Sequence, residues 1–482
     1  MSGSDFRALL PLFVIAGTAV LTMLTIAFRR NHLLTLSVTL TGLTLSFASL
    51  WIAAAAIPRQ VTTLLIIDQY ALFYLGLIIS ATLVVALLSC GYFEKRKGHP
   101  DEMYLLLLLA VLGAGVLVVS NHFVSFLLGL ETLSAALYAL SAYPRQGKLP
   151  LEAGIKYLIL GASSAAFLIF GMALIYSQLG SMEFTHLQLA MASGGSLDQA
   201  LVLAGLALII TGIGFKLALV PFHLWTADVY EGAPAPVTAS LATVSKGSVF
   251  ALLVRFFHLT GAIQAPVVFL ALGIIAVFSM IAGNVLGMLQ ENVKRILGYS
   301  SIAHMGYLLV AFLAAGELGG QAAAFCLVTY IITILGAFGV VSVVSGSDRD
   351  AGTLDDFRGL FWREPGLGVI FTLMLLSLAG IPLTAGFVGK FYIIAAGASS
   401  ATWGLIIALV LTSVLGLFYY LRVIVAIYDL APAAVATGIS RLRRPSLSER
   451  YVLAAVTVTL LLVGVYPAPI LKLVAAAVKS LA

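Results

Sequence analysis

The chain has 482 residues, 61% of them hydrophobic and only 10% charged, with a net charge of +6 and a mean hydropathy of +1.10. A soluble domain needs far more surface charge than this, so the lipid bilayer is the solvent for most of the chain. Only two cysteines occur, Cys90 and Cys326, with no CxxC pair, Cys/His cluster, Walker A motif or strand-linked GxGxxG, which argues against iron–sulfur, zinc and nucleotide sites. No cofactor, metal or nucleic-acid partner is expected.

In hydrocarbon every backbone N–H and C=O must be satisfied internally, and non-alternating apolar runs of about 20 residues are helices, not barrel strands. Windows of that length predict an all-α polytopic membrane protein of about 14 spans. They fall near Leu9–Phe28, Leu33–Ile57, Tyr70–Tyr92, Met103–Ser120, His122–Tyr143, Ala153–Leu179 and Ala200–Trp225. The second half adds Val237–Leu259, Pro266–Met288, Gly298–Ala315, Gln321–Val344, Gly366–Ala396, Ala401–Tyr428 and Tyr451–Leu481, the last interrupted by Pro467 and Pro469. The N-terminal MSGSDFR has no basic region or cleavage site and reads as the approach to a first membrane helix.

Connections after odd-numbered spans carry most of the basic residues: Arg29, Arg30, Lys95, Arg96, Lys97, Arg145, Lys148, Lys156, Lys294, Arg295, Arg349, Arg358, Arg363, Arg441, Arg443, Arg444 and Arg450. The other side has Arg7, Arg59, Arg255, Lys472 and Lys479. This asymmetry predicts odd connections in the cytoplasm and both termini outside. The two largest cytoplasmic connections, Ser345–Pro365 and Asp429–Arg450, read as solvated linkers.

One stretch, Gly212–Lys246, departs from the pattern. Lys216 sits within an apolar run, Pro221 follows where a helix should not accept it, and Lys246 lies inside the next run. Gly380–Lys390 repeats the theme, with Pro382 and Lys390. Paired Gly/Pro-interrupted segments point to the functional centre of a transporter. They predict two inverted five-helix repeats, each with a discontinuous helix. The corresponding division is 1–100 (helices 1–3), 101–262 (helices 4–8), 263–430 (helices 9–13) and 431–482 (linker and helix 14). Proline would free backbone groups at each break and admit water beside Lys216 and Lys390.

Glu131, Lys216, Lys246 and Lys390 stand near the centres of their spans. Each central charge costs about 2.5–3.5 kcal/mol, so such groups persist only when paired, hydrated or neutralised. Three lysines cannot all pair with one glutamate, and a lysine switched between dry and carboxylate-rich surroundings can load and release a proton. His304, among Ser300, Ser301 and Tyr307, is a candidate relay or a hydrogen-bonded core histidine. His223, after Pro221, is a weaker candidate. Asp228 and Glu231 lie at a cytoplasmic turn and suit helix-end roles, while Arg422 and Lys156 can snorkel from span ends.

The stretch GFKLALVPFHLWTADVYEGAPAPVTASLATVSK resembles the antiporter-like membrane subunits of respiratory complex I, and FHLWTADVYEGAPAP is similar to the N-type subunits of the bacterial enzyme. FLLGLETLSAALYAL around Glu131, NVKRILGYSSIAHMGYLL around His304 and LAGIPLTAGFVGKFYII around Lys390 extend the resemblance over nearly the whole chain. It implies a Glu131–Lys216 pair, Lys246 as central relay, Lys390 as exit-side lysine and no bound redox centre. It also implies a bacterial inner-membrane location, with neighbouring antiporter-like and quinone-site subunits as partners. The function implied is proton translocation driven by quinone reduction elsewhere in the complex. Two alternatives remain: a subunit of a multisubunit Na+/H+ antiporter, and a scaffold whose lysines only pack.

Overall fold

The computed structural model describes residues 2–94, 96, 100–144, 147–193, 199–314, 316–429 and 445–481. Of the residues entering the charge asymmetry, Lys95, Lys97, Arg145, Arg441, Arg443 and Arg444 lie outside these, as does most of the Asp429–Arg450 connection. Thirteen helices among the described residues are long and apolar enough to cross a membrane. They are α1 (Leu10–Phe28), α2 (His32–Ala54), α3 (Gln69–Glu94), α4 (Asp101–Val118), α5 (Phe123–Ser141), α6 (Lys148–Leu179) and α7a (Gln199–Leu217). Then come α8 (Ala235–Thr260), α9 (Pro266–Met288), α10 (Val293–Leu313), α11 (Gly316–Val344), α13 (Trp403–Tyr428) and α14 (Leu447–Val465). Two shorter apolar helices, α12a (Pro365–Ala379) and α12b (Ala385–Ser399), together make the remaining crossing.

Local chemistry sets the ends. The Asn31, His122 and Asn292 side chains accept backbone N–H groups at the starts of α2, α5 and α10, and Ser446 with Glu449 forms a capping box on α14. Asn292 starts α10 earlier than hydropathy suggests, which draws Lys294 into its first turn. The expected interruption at Pro467 is present: α14 stops at Val465 and α15 (Ala468–Lys479) follows.

Burial grades from centre to rim. The apolar windows of α8 and α11 are 94% buried and that of α10 89%, against 33% for α9, α13 and α14. Lys246, Ser301, His304 and Tyr330 therefore lie in the best shielded part of the bundle. Several pairs of helices cross at glycine, α4 on α5 and α9 on α10 among them. A Cβ at Gly113 on α4 would fall 2.5 Å from the Leu133 backbone nitrogen on α5, and one at Gly283 on α9 would fall 2.6 Å from that of Ala303 on α10. Small residues let helix backbones approach where lipid offers no hydrophobic drive.

Both ends of the bundle differ from the sequence reading. On one end a short antiparallel hairpin, β1 (Arg59–Val61) and β2 (Leu65–Ile67), precedes α3. Asp68 follows it and accepts the Ala71 N–H at 2.7 Å while meeting the Arg255 guanidinium of α8 through two hydrogen bonds of 2.7 and 2.8 Å. Arg255, expected among the outer-side charges, is fully buried. Its burial is possible because a carboxylate arrives from the hairpin, a contact no local pattern announces.

On the other end Arg30, Arg96, Lys148, Lys294 and Arg349 gather around one open basin of about 1240 Å³, so the basic connections do converge. Ser345–Pro365 is not a plain solvated linker. It holds short helices at Leu354–Phe357 and Leu360–Arg363 and buries Phe357 and Leu360. Asp350 within it accepts from Tyr92 (2.6 Å), Arg96 (2.7 Å), Lys294 (2.7 Å) and the Ala235 backbone N–H (3.0 Å). Asp228 and Glu231 likewise pair with Arg295, and Asp228 with Lys156.

Breaking a buried ion pair by removing one partner costs about 3–5 kcal/mol. Asp68→Asn is therefore expected to lower the detergent unfolding midpoint strongly, and an unchanged midpoint would deny the pair a structural role. For Asp350, burial favours the neutral acid, but Lys294 and Arg96 outweigh it and hold the carboxyl below its ordinary 3.8. A depressed folded-state pKa gives stability present above the unfolded value and lost as pH falls through the folded one. Wild-type and Asp350→Asn midpoints should therefore stay apart from about pH 8 to pH 5 and converge only in stronger acid.

Candidate functional site

The first break is not made by its proline. Helix α7a has ended at Leu217, Ala218 takes φ 60°, and Pro221 lies in the link to a short helix, α7b (Trp225–Gly232). The backbone groups freed there are met largely by protein: the Trp225 indole N–H donates to the Phe215 carbonyl at 3.0 Å, and Val220 N–H donates to Ser279 Oγ at 2.9 Å. The hydration expected from the proline is not required to satisfy these groups.

Lys216, in the last turn of α7a, is buried with its ammonium 5.0, 5.1 and 5.7 Å from the ring centres of Tyr138, Tyr157 and Phe215. Such aromatic faces stabilise a desolvated cation. Its hydrogen bond goes to Tyr138 Oη at 3.3 Å. Glu131 makes no ion pair with Lys216 within hydrogen-bonding range among the described residues, and its Oε1 is buried without a partner. Tyr138 stands seven residues beyond Glu131 on α5, two helical turns along the same stripe, and helical side chains lean toward the N-terminus. The tyrosine hydroxyl thus takes the place expected for the carboxylate.

Lys246 is fully buried. It follows a π-helical turn, Leu241–Ser245, in α8, a distortion frequent at functional sites. Its Nζ donates to Ser301 Oγ at 2.6 Å, and Ser301 Oγ shares a 2.6 Å hydrogen bond with Tyr330 Oη of α11. Between Lys216 and Lys246 the packing is aromatic instead: Tyr157 stacks on Trp225 at 4.6 Å, and Tyr230 faces both Trp225 and the Lys246 ammonium. Tyr157 Oη is buried there, with the Ser245 side chain beside it.

His304 lies one turn beyond Ser300, its Nδ1 2.9 Å from the Ser300 carbonyl, with its ring against Tyr307 and Tyr330. A cavity of about 10 Å³ separates it from Lys390, lined also by Tyr330, Thr333 and Ser377. Lys390 starts on α12b but folds back, donating to the Ala379 carbonyl at the end of α12a at 2.9 Å. Both break lysines therefore rest at the C-terminal end of a half-helix, where the helix dipole favours a cation by about 0.3–1 kcal/mol, more when partly buried. This accounts for the opposite order of lysine and proline in the two segments. His223 sits in the 218–224 link with Nδ1 buried and unpartnered, and no hydrogen bond among the described residues joins it to the lysines.

The structure thus brings Lys246, His304 and Lys390 together, puts Lys216 behind an aromatic partition, and leaves His223 aside. Tyr138 and Ser301 are the lysine partners the sequence reading missed, as is Tyr330 behind Ser301. Thr329, Tyr330 and Thr333, polar at helical spacing inside an apolar run, were the available signal for α11. No group of three or more His, Cys, Asp or Glu among the described residues is placed to hold a metal ion.

Fourteen crossings among the described residues, two of them discontinuous, around a row of lysines inside the bundle define an antiporter-like membrane subunit. Residues 120–416 match the family model described as NADH:quinone oxidoreductase/Mrp antiporter, TM. Similar proteins named NADH-quinone oxidoreductase subunit N include that of Nitrosospira multiformis, 51% identical over 97% of this chain and 95% of the relative. The one from Methylococcus capsulatus is 47% identical over 98% and 95%. A chain of respiratory complex I from Thermus thermophilus with bound aureothin superposes with a TM-score of 0.82 at 32% identity, covering 97% of this chain and 99% of that one. A chain of the Mrp complex from Dietzia reaches 0.87 over 100% and 98%, but at 20% identity it shares the fold alone. The chain belongs to the NADH:quinone oxidoreductase/Mrp antiporter transmembrane family, in its subunit N branch.

Gly380 tests the seating of Lys390. It has φ 84°, and a Cβ there would lie 2.8 Å from Lys390 Cδ. Gly380→Ala is expected to cost about 1 kcal/mol or more, read as a lower unfolding midpoint of the purified protein. An unchanged midpoint would contradict this geometry.

Proposed function

We propose that the chain works as a proton-translocating membrane subunit of NADH:quinone oxidoreductase, moving protons from cytoplasm to periplasm while other subunits reduce quinone. It is a multi-pass membrane protein of that bacterial complex, its partners are the complex's other membrane subunits, and the enzyme activity belongs to the assembly. The observation that carries the relay is the placement of Lys216, Lys246 and Lys390 inside the bundle, the first two buried and the third partly so, with no carboxylate bonded to any of them among the described residues. Groups so placed respond strongly to any change in neighbouring charge, because low-dielectric surroundings screen little.

In this reading Glu131 and Lys216 form the input switch, with Tyr138 as the hydroxyl between them. A charge change in an adjoining subunit draws Lys216 toward Glu131 or returns it to Tyr138. When Lys216 carries its proton beside the partition, it repels a proton on Lys246 toward Lys390, which releases it outward. Water entering between Lys216 and Lys246 would complete the first handover, with the buried Tyr157 and Ser245 hydroxyls as polar groups along its way. His304 packs against Tyr330 beside the row without carrying the proton, and His223 has no part in the row.

The location is the bacterial inner membrane with both termini periplasmic, supported by the convergence of basic connections on one basin. The matching glycine crossings of α4 on α5 and α9 on α10 support the repeat division at 101–262 and 263–430, flanked by 1–100 and 431–482.

Lys216→Ala should leave the complex assembled and NADH oxidation measurable while proton uptake by inverted membrane vesicles falls. An assembled mutant pumping at the wild-type rate would remove Lys216 from the relay.

A further inference from the structure

We propose that the Ser301–Tyr330 hydroxyl pair is the proton-carrying link between Lys246 and Lys390, and that Tyr330, not the His304 ring, delivers the proton to the cavity beside Lys390. The inference rests on the relay reading above and names its central link. Three observations carry it. Ser301 Oγ is the hydrogen-bond partner of the Lys246 ammonium among the described residues, at 2.6 Å. Tyr330 Oη closes on the same oxygen at 2.6 Å, and both side chains are buried. The His304 ring lines the same cavity, but its Nδ1 is held by the Ser300 carbonyl and the ring lies against the Leu378 carbonyl. No described hydrogen bond joins that ring to Lys246, Tyr330 or Lys390.

The proton count follows from the inventory of each group. An ammonium has donors and no acceptor, so a protonated Lys246 must donate to Ser301 Oγ. The serine's single hydroxyl hydrogen is then free to point at Tyr330 Oη, and the tyrosine's hydrogen to point away from Ser301. For transfer, Lys246 gives one proton to Ser301 Oγ as the serine's own proton passes to Tyr330 Oη. The tyrosine's proton leaves through the cavity to the neutral amine of Lys390. One N–H bond breaks at Lys246 and one forms at Lys390, and both hydroxyls end neutral with their hydrogens reversed. Rotation of the two O–H bonds resets the pair, so transfer and reset are separate steps.

The cavity suits the last leg. Its volume of about 10 Å³ is at the lower limit for holding one water, and Tyr330, Thr333, Ser377, His304 and Lys390 supply polar walls. Lys390, held by the Ala379 carbonyl, has its ammonium at the negative end of α12a, where an arriving proton is stabilised.

The test uses the assembled oxidoreductase in inverted membrane vesicles, with NADH oxidation and proton uptake followed together. Tyr330→Phe keeps the ring and Ser301→Ala keeps the backbone. Each is expected to lower proton uptake per NADH oxidised by about tenfold or more for this subunit's share. Ser301→Thr, which restores a hydroxyl, is expected to recover it, and His304→Gln to retain it. A structural role would not produce hydroxyl-specific rescue. Should Tyr330→Phe fail to assemble, Ser301→Ala and its threonine rescue decide. Wild-type uptake in Ser301→Ala or Tyr330→Phe beside a defective Lys246→Ala overturns the hydroxyl link and leaves the relay standing. Wild-type uptake in Lys246→Ala overturns both.

Discussion

A lysine ammonium in the middle of a bilayer must be held by something other than water, and the rest of this structure is arranged around that constraint. Three solutions occur side by side. Lys216 has aromatic faces and a tyrosine hydroxyl, Lys246 has a serine, and Lys390 has the open carbonyl at the end of a half-helix. None is a formal counter-ion. Hydrogen bonds to neutral groups hold a charge without fixing it, whereas a buried carboxylate would lock the proton in place. Weak retention is what a relay requires.

Helix α8 is correspondingly the most restrained element. It begins against Asp350, which accepts the Ala235 N–H, and near its other end Arg255 meets Asp68. A carboxylate on its first backbone N–H and a buried ion pair near its other end thus hold the helix from both sides of the membrane while a π-helical turn relaxes its middle just before Lys246. Rigid ends with one distorted turn between them confine local adjustment to the residue that handles the proton. The discontinuous crossings complement this arrangement. Each ends a helix inside the bundle and sets its negative pole beside a lysine, although the lysine comes from the first half in one case and from the second in the other.

Much of this was legible in the sequence because hydrocarbon imposes simple rules. Span number, the two interrupted segments and the four ionisable residues in mid-span all follow from hydropathy, proline and charge. The helix ends were less so, since caps such as Asn292 act through single side chains. Long-range partners were not legible at all. Nothing near Arg255 announces Asp68, 187 residues away, and nothing near Lys246 announces Ser301 or Tyr330. The Glu131–Lys216 pair that the family resemblance implies has a third member the sequence did not announce, the Tyr138 hydroxyl on the glutamate's own helix, which holds the ammonium in this structure. Pro221 was likewise credited with a break that the backbone makes three residues earlier, at Ala218.

The central claim is that protons pass along the lysine row to Lys390. It is tested most directly by the ratio of protons moved to electrons transferred in the purified complex, reconstituted in sealed liposomes, with Lys390→Ala against wild type. A relay ending at Lys390 predicts a lower ratio with quinone reduction still running and the complex intact. An unchanged ratio in an intact, equally tight preparation would contradict it.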